Sequence, residues 1–128
     1  RVEGVTIQKM ITGAHEVILG IKRDPSFGAV LMFGYGGIYV EIFHDVSFRV
    51  APLGKRTIQS MIQGIKAYPI LAGFRSQKAG DIPAVEDCLA RLSRLALDCP
   101  QVQEMDINPL FVMEAGKGCC ACDIKVML

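Results

Sequence analysis

Glu104-Met105-Asp106-Ile107-Asn108-Pro109-Leu110, with the hairpin that follows it as far as Asp123, is the stretch whose reading decides the fold. It places two carboxylates and an amide oxygen on a strand that Pro109 interrupts. Leu110 to Met113 then reads as a strand and Glu114-Ala115-Gly116-Lys117-Gly118 as a turn with two glycines able to take positive φ. Cys119 to Met127 reads as the returning strand. Such a hairpin brings Asp123 back beside the Asn-Pro segment. Residues two apart on a strand share a face, so Asp106 and Asn108 point together, away from Ile107. Oxygen donors of this kind suit Mg2+, which takes one or two protein ligands and leaves its other positions to water and phosphate. On spacing alone, a polar turn beside a proline explains the same residues equally well.

Upstream of this stretch, Asp81 to Asp98 reads as a helix. Asp81 caps it, Pro83 sits in its first turn, and Val85, Cys88, Leu89, Leu92 and Leu95 form its buried stripe. A second helix is expected from Lys55 to Ala67, with Ile58, Met61, Ile62 and Ile65 on one face and its end near Tyr68-Pro69. The segment 71–80 between them reads as a glycine-bounded polar loop. Earlier in the chain, Val5 to Met10 alternates like a strand, and Gly13 turns it into Glu16–Arg23, where Val17, Leu19 and Ile21 share a face. Asp24-Pro25-Ser26 leads into a buried strand at Ala29–Phe33, which Gly34, Gly36 and Gly37 end. Ile38–Phe43 and Val46–Val50 follow as strands, with Val46, Phe48 and Val50 opposite Ser47 and Arg49. The expected architecture is α+β: a mostly antiparallel sheet with two helices packed on one face.

The 128 residues suit one domain, and 51% hydrophobic with 21% charged residues describes a core-forming protein. A net charge of +1 gives no electrostatic reason to expect nucleic acid or an anionic membrane as partner, so any phosphate recognition is local. No apolar run is long enough to span a membrane and no secretory leader is visible, which gives a cytoplasmic expectation. Cys88, Cys99, Cys119, Cys120 and Cys122 are odd in number and lack paired Cys-x-x-Cys spacing; they read as reduced thiols packed as small apolar residues.

Several blocks in one order resemble the ATP-grasp domain of ADP-forming acyl-CoA synthetases, related to the nucleotide-binding subunit of succinyl-CoA synthetase. They are Gly13–Gly20, Lys22–Gly28, Phe33–Glu41, Asp45–Leu53 and the Asp106-Ile107-Asn108-Pro109-Leu110 run. Ala29 and Tyr35 depart from the family pattern, where Pro and Leu are expected. The resemblance implies the C-terminal lobe of an ATP-grasp clamp over residues 1–128. Because the chain opens at Arg1 with a strand already under way, it is expected to be a piece of a longer protein whose preceding lobe lies elsewhere.

The resemblance further implies Asn108 and Asp123 as Mg2+ ligands and Asp106 as the carboxylate that receives a relay histidine. Glu16, Lys22, Gly36 and Gly37 would lie on the nucleotide, ATP or ADP. The relay histidine and the CoA site would belong to a partner domain or subunit. The implied reaction converts acyl-CoA, ADP and phosphate reversibly to acid, CoA and ATP through an acyl phosphate and a phosphohistidine. The alternative is a synthetase-like nucleotide-binding or regulatory module of a protein lysine acetyltransferase, without turnover.

From the residues alone, Glu16 points to solvent or to a cleft, and Lys22 on the same face either pairs with it or meets a phosphate, with Arg49 and Arg75 as substitutes. The glycines at 36 and 37 read as a tight turn or as close backbone approach to a phosphate. His15 and His44 read as ordinary exposed imidazoles.

Overall fold

The computed structural model describes the backbone of residues 1–128 and every side chain except those of Ile38 and Tyr39. Its centre is β1 (His15–Asp24), paired antiparallel with β2 (Gly28–Tyr35) on one side and with β4 (Glu104–Val112) on the other. β3 (Val46–Val50) extends the sheet beyond β2. β5 (Cys119–Ala121) and β6 (Ile124–Met127) lie end to end along the far edge of β4, for an order β3-β2-β1-β4-β5 with β6 also on β4. All these pairings are antiparallel, as expected for strands joined by short turns.

One face of the sheet is covered. Val17, Leu19, Leu31, Phe33 and Val112 are each at 0% exposure, packed against the stripes of α2 (Lys55–Gln63) and α4 (Ile82–Asp98). All four residues of the first helical stripe are buried, Ile65 in the turn beyond α2 rather than in the helix itself. The opposite face carries Gly20, Lys22, Val30, Met32, Phe48, Glu104 and Asp106, and among the described residues the stripes of α2 and α4 pack on the other side.

The β1–β4 ladder shifts register between Val17 and Leu19. Val17 faces Leu110 and Leu19 faces Ile107, so Ile18 spans both Asn108 and Pro109. Without this bulge, residues 106, 108, 110 and 112 would share one face. With it, Asp106 and Asn108 stay on the open side while Leu110 and Val112 turn into the core at 3% and 0% exposure. Pro109, joined to Asn108 by a cis peptide, has no N–H to give to the ladder, so β4 runs on through a residue that was expected to interrupt it.

Several expectations are corrected. Residues 1–12 form no strand, and Val2, Val5, Ile7 and Met10 are all above 80% exposed, because no edge of the sheet pairs with them. Gly34 lies inside β2, and Ile38–Glu41 is a short helix, α1, rather than a strand. Since β2 and β3 pair directly, residues 36–45 must reverse the chain; Val40 and Glu41 N–H close a helical turn on the Gly37 carbonyl. That tertiary demand overrides the strand propensity of the segment. The first long helix stops at Gly64, and Tyr68-Pro69 opens a further short helix, α3 (Tyr68–Leu71). Proline is accepted in a first turn, where its missing N–H is not needed. Finally, Cys120 and Cys122 are exposed rather than packed, whereas Cys88 and Cys119 contact the core.

Three polar side chains hold the layers together. Arg23 reaches across from β1 to the end of α4, donating to the carbonyls of Val102 (2.8 Å), Ala96 (2.5 Å) and Cys99 (3.1 Å). Its guanidinium thereby satisfies carbonyls that the helix end leaves orphaned. Buried Asp45 accepts from the N–H groups of Lys66 (2.7 Å) and Ala67 (2.8 Å), fixing the α2–α3 connection. Asp81 caps α4 through Ala84 N–H and also accepts from Gly118 N–H at 2.8 Å. Among the described residues, no helix is long and apolar enough to cross a membrane.

Arg23→Met keeps the aliphatic stem and removes three charge-assisted bonds. It should lower unfolding stability by about 2–4 kcal/mol, since bonds to a charged group contribute roughly 1.5–3 kcal/mol each and water replaces part of them. Urea unfolding followed by circular dichroism checks this; a change below about 0.5 kcal/mol would mean that the α4 end is held by its apolar contacts alone.

Candidate functional site

The bulge and the final hairpin together assemble the open face. Asn108 N–H donates to the Asp123 carbonyl at 3.0 Å, and Cys122 N–H donates to the Pro109 carbonyl at 3.0 Å, so Asp123 lies directly across from Asn108. Both residues are exposed. Asp106 is flanked in register by Gly20 of β1 and Lys125 of β6. Strand alternation sets Asp106 and Asn108 of β4 and Lys125 of β6 on the uncovered face, and Asp123 lies across from Asn108 in the break between β5 and β6. The hairpin tip takes its shape from Gly116 (φ 82°) and Gly118 (φ 81°), conformations that cost glycine little. Its position comes from α4: the Asp81 carboxylate holds Gly118, Asp81 N–H bonds Met113 O, and Ala115 N–H bonds Ala79 O.

A groove of about 370 Å³ opens on this face beside Asp106, walled by Lys22, Asp24, Val30, Met32, Phe48 and Glu104. Its floor exists because residue 20 is glycine: a Cβ there would sit 3.3 Å from the Met105 carbonyl oxygen and 3.4 Å from the Met32 methyl. The groove thus joins an apolar wall to a carboxylate, with Lys22 at its rim.

The structure separates residues that were expected to act together. Glu16 and Lys22 lie on the same face of β1 but six residues apart, about 20 Å at the rise of a strand, so the pairing considered between them is not formed. Lys22 instead faces Glu104 in register. Glu16 gathers with the glycine turn: Gly36 N–H donates to the Glu16 carbonyl at 2.7 Å, and a Cβ at Gly36 would lie 3.0 Å from that oxygen. Gly36 therefore has a packing reason to be glycine, and its N–H is already engaged. Arg49 is no substitute for Lys22, because it faces the helix side and donates to Ser47 Oγ and the Phe48 carbonyl. Arg75, at φ 56° on the 73–79 loop, lies over the Phe74 ring at 5.2 Å.

His15 is not the plain exposed imidazole expected. It is half-buried, with Nδ1 2.9 Å from the Tyr35 hydroxyl and Nε2 2.8 Å from the Lys78 carbonyl. It borders a second, polar cavity of about 410 Å³ with Gln77, Lys78 and Glu114. There Lys117 and Lys78 hold the Glu114 carboxyl below its ordinary range. His44 is exposed, in a turn at φ 48°. Cys88 and Cys119 form a thiol pair between α4 and β5. The hydrogen bond from Cys119 lowers Cys88 to about 7, and the Cys119 thiol is pushed up in turn. Among the described residues no three His, Cys, Asp or Glu side chains converge as a metal site; Mg2+ asks for only one or two protein oxygen ligands. Paired oxygen donors at Asn108 and Asp123, both open to solvent, fit that requirement.

A family profile for the ATP-grasp domain matches residues 1–128. The chain belongs to the ATP-grasp family. This ATP-grasp chain is 53% identical over 116 residues to the ADP-forming acetate–CoA ligase I of Archaeoglobus fulgidus, covering 91% of the chain and 17% of that protein. It is 49% identical over 125 residues to the beta subunit of ADP-forming acetate–CoA ligase I of Pyrococcus furiosus, covering 98% of the chain and 53% of that subunit. Among solved structures, it matches the dinucleotide-forming acetyl-coenzyme A synthetase 1 of Ca. Korarchaeum cryptofilum with TM-score 0.84 and 44% identity, over 90% of this chain and 53% of that one. That structure is a complex with coenzyme A and Mg-AMPPCP, its phosphohistidine segment pointing towards the nucleotide binding site. The ATP-grasp chain thus spans about half the length of the Pyrococcus subunit and far less of the Archaeoglobus ligase.

For the hairpin itself, Asp81→Ala should lower stability by about 1–3 kcal/mol, the cost of a lost cap and an unsatisfied N–H. Amide exchange at Ala115 and Gly118 should accelerate more than exchange in β1; uniform acceleration would show that Asp81 does not position the hairpin.

Proposed function

We propose that this chain is the C-terminal lobe of an ATP-grasp clamp in an ADP-forming acyl-CoA synthetase. Its parent would interconvert acyl-CoA, ADP and phosphate with acid, CoA and ATP through an acyl phosphate and a phosphohistidine. The observation that carries this is the register that sets Asp106 beside the groove and brings Asn108 across from Asp123, in a chain 44% identical to a synthetase structure that holds Mg-AMPPCP. The relatives described above are ligases, which favours turnover over a silent module in an acetyltransferase. A preceding lobe would close over the open face, and a CoA-binding domain or subunit would bring the relay histidine.

In this reading Asn108 and Asp123 hold Mg2+, which, when bound, draws phosphate oxygens together and offsets their charge. Asp106 faces the incoming imidazole, orients it by hydrogen bonding, and favours its protonated form. Gly20 leaves the space in front of Asp106 clear. Lys22, at the rim of the groove, and Glu16 with Gly36 and Gly37, toward the opposite end of β1, would border the nucleotide. Because Gly36 N–H is engaged, the glycine turn contributes close approach rather than that donor.

In the parent protein, Asn108→Ala or Asp123→Ala should reduce ATP formation about 100-fold at limiting Mg2+, about 2.7 kcal/mol at 1.36 kcal/mol per tenfold. Excess Mg2+ should recover part of it; full activity with unaltered Mg2+ dependence would contradict the ligand assignment. Asp106→Asn should slow phosphohistidine formation from ATP at least tenfold while nucleotide affinity changes less than threefold. Equal losses would make Asp106 a nucleotide or metal residue.

A further inference from the structure

We infer that Lys125 is a phosphoryl-positioning residue: its ammonium holds the terminal phosphate of the nucleotide between the metal ligands and Asp106. This rests on the nucleotide reading above and goes beyond it, since neither the resemblance nor the spacing had given Lys125 a role. Gly20, Asp106 and Lys125 form one row across β1, β4 and β6. Directly opposed residues of antiparallel strands carry side chains on the same face with Cβ atoms about 4.5–5.5 Å apart. Asp123 lies two residues before Lys125, in the break between β5 and β6, with its carbonyl bonded to Asn108 N–H. Lys125 is therefore paired with Asp106 across the ladder and stands two residues along the chain from Asp123.

Charge decides what the ammonium is for. Asp106 and Asp123 bring two negative charges to this part of the face, and a polyphosphate brings more, so one bound divalent cation leaves an excess of negative charge. Of the other cations near this face, two are turned away from it and one, Lys22, stands at the rim of the groove. Arg23 is spent on the end of α4, Arg49 faces the helices, and Lys22 stands opposite Glu104, two residues along from Gly20. Lys125 is exposed and enters none of the four ion pairs among the described residues. Among the described strands β6 pairs with β4 alone, which puts Lys125 on an edge strand of the sheet. Lysine suits this task because it acts on phosphate as a compact point charge with rotatable donors, without a fixed fork geometry to satisfy. The row also gives the two neighbours of Asp106 distinct uses. On one side the absent Gly20 side chain leaves an entrance, and on the other Lys125 supplies positive charge.

Binding separates this role from a general one. In the parent protein with saturating Mg2+, calorimetry would give the affinities of ADP and of the β,γ-methylene analogue of ATP for wild type, Lys125→Met and Lys125→Arg. Lys125→Met should weaken the triphosphate analogue about tenfold and ADP less than twofold. Lys125→Arg, which keeps the charge, should restore the analogue to within about threefold of wild type. Equal weakening of both nucleotides would overturn the inference by placing Lys125 on the inner phosphates or the metal site. Unchanged affinities would overturn it by making Lys125 a solvated surface charge. Failure of wild type to bind either nucleotide would instead remove the nucleotide reading itself, so the two failures are distinguishable.

Discussion

Everything on the open face depends on the register shift where Ile18 of β1 spans Asn108 and Pro109 of β4. A regular strand cannot send residues 106 and 108 to one side and residues 110 and 112 to the other. The chain needs both: Leu110 and Val112 are required under α4 to complete the core, while the polar pair must stay uncovered. One extra residue on β4 resolves the conflict, and it falls at a proline, which has no N–H to withdraw from the ladder. The far edge of β4 follows the same division. β6 pairs the half before the bulge, β5 pairs the half after it, and Asp123 lies in the break between them, across from Asn108.

The face is kept in place by contacts on the other side of the sheet. Arg23 leaves β1 toward the helices and ties its end of the strand to the last turn of α4. At the start of the same helix, Asp81 binds the tip of the β4–β5 hairpin. One helix therefore sets both ends of the arrangement, while Asp106 and Asn108 stand on β4 and Lys125 on β6. Strand placement suits phosphoryl transfer, where the protein's task is mainly to position charge.

Much of this was legible in the sequence, for identifiable reasons. The stripes at Ile58–Ile65 and Val85–Leu95, the alternation of Val17, Leu19 and Ile21, and the glycines at 116 and 118 are local patterns that a packed sheet and a tight hairpin require. The elements missed were set by tertiary geometry. Ile38–Glu41 has the composition of a strand, but two directly paired neighbours force it to turn. Val5 to Met10 alternates well, yet alternation makes a strand only when an edge is there to receive it. At the site, the closeness of Asp123 to Asn108 followed from the hairpin, whereas Lys125 beside Asp106 required the register. Glu16 and Lys22 share a face but stand six residues apart on β1, and strand rise alone separates them by about 20 Å.

The most direct test of the account is where a metal–nucleotide complex sits on this sheet. With Mn2+ and ADP bound to the parent protein, paramagnetic broadening of amide resonances would map the distance of each residue from the ion. The account predicts broadening centred on Asn108 and Asp123 and extending to Asp106, Gly20 and Lys125, with Ile62 and Leu89 beneath the sheet much less affected. Broadening centred on the His15–Lys78 cavity or on the helical face would contradict it.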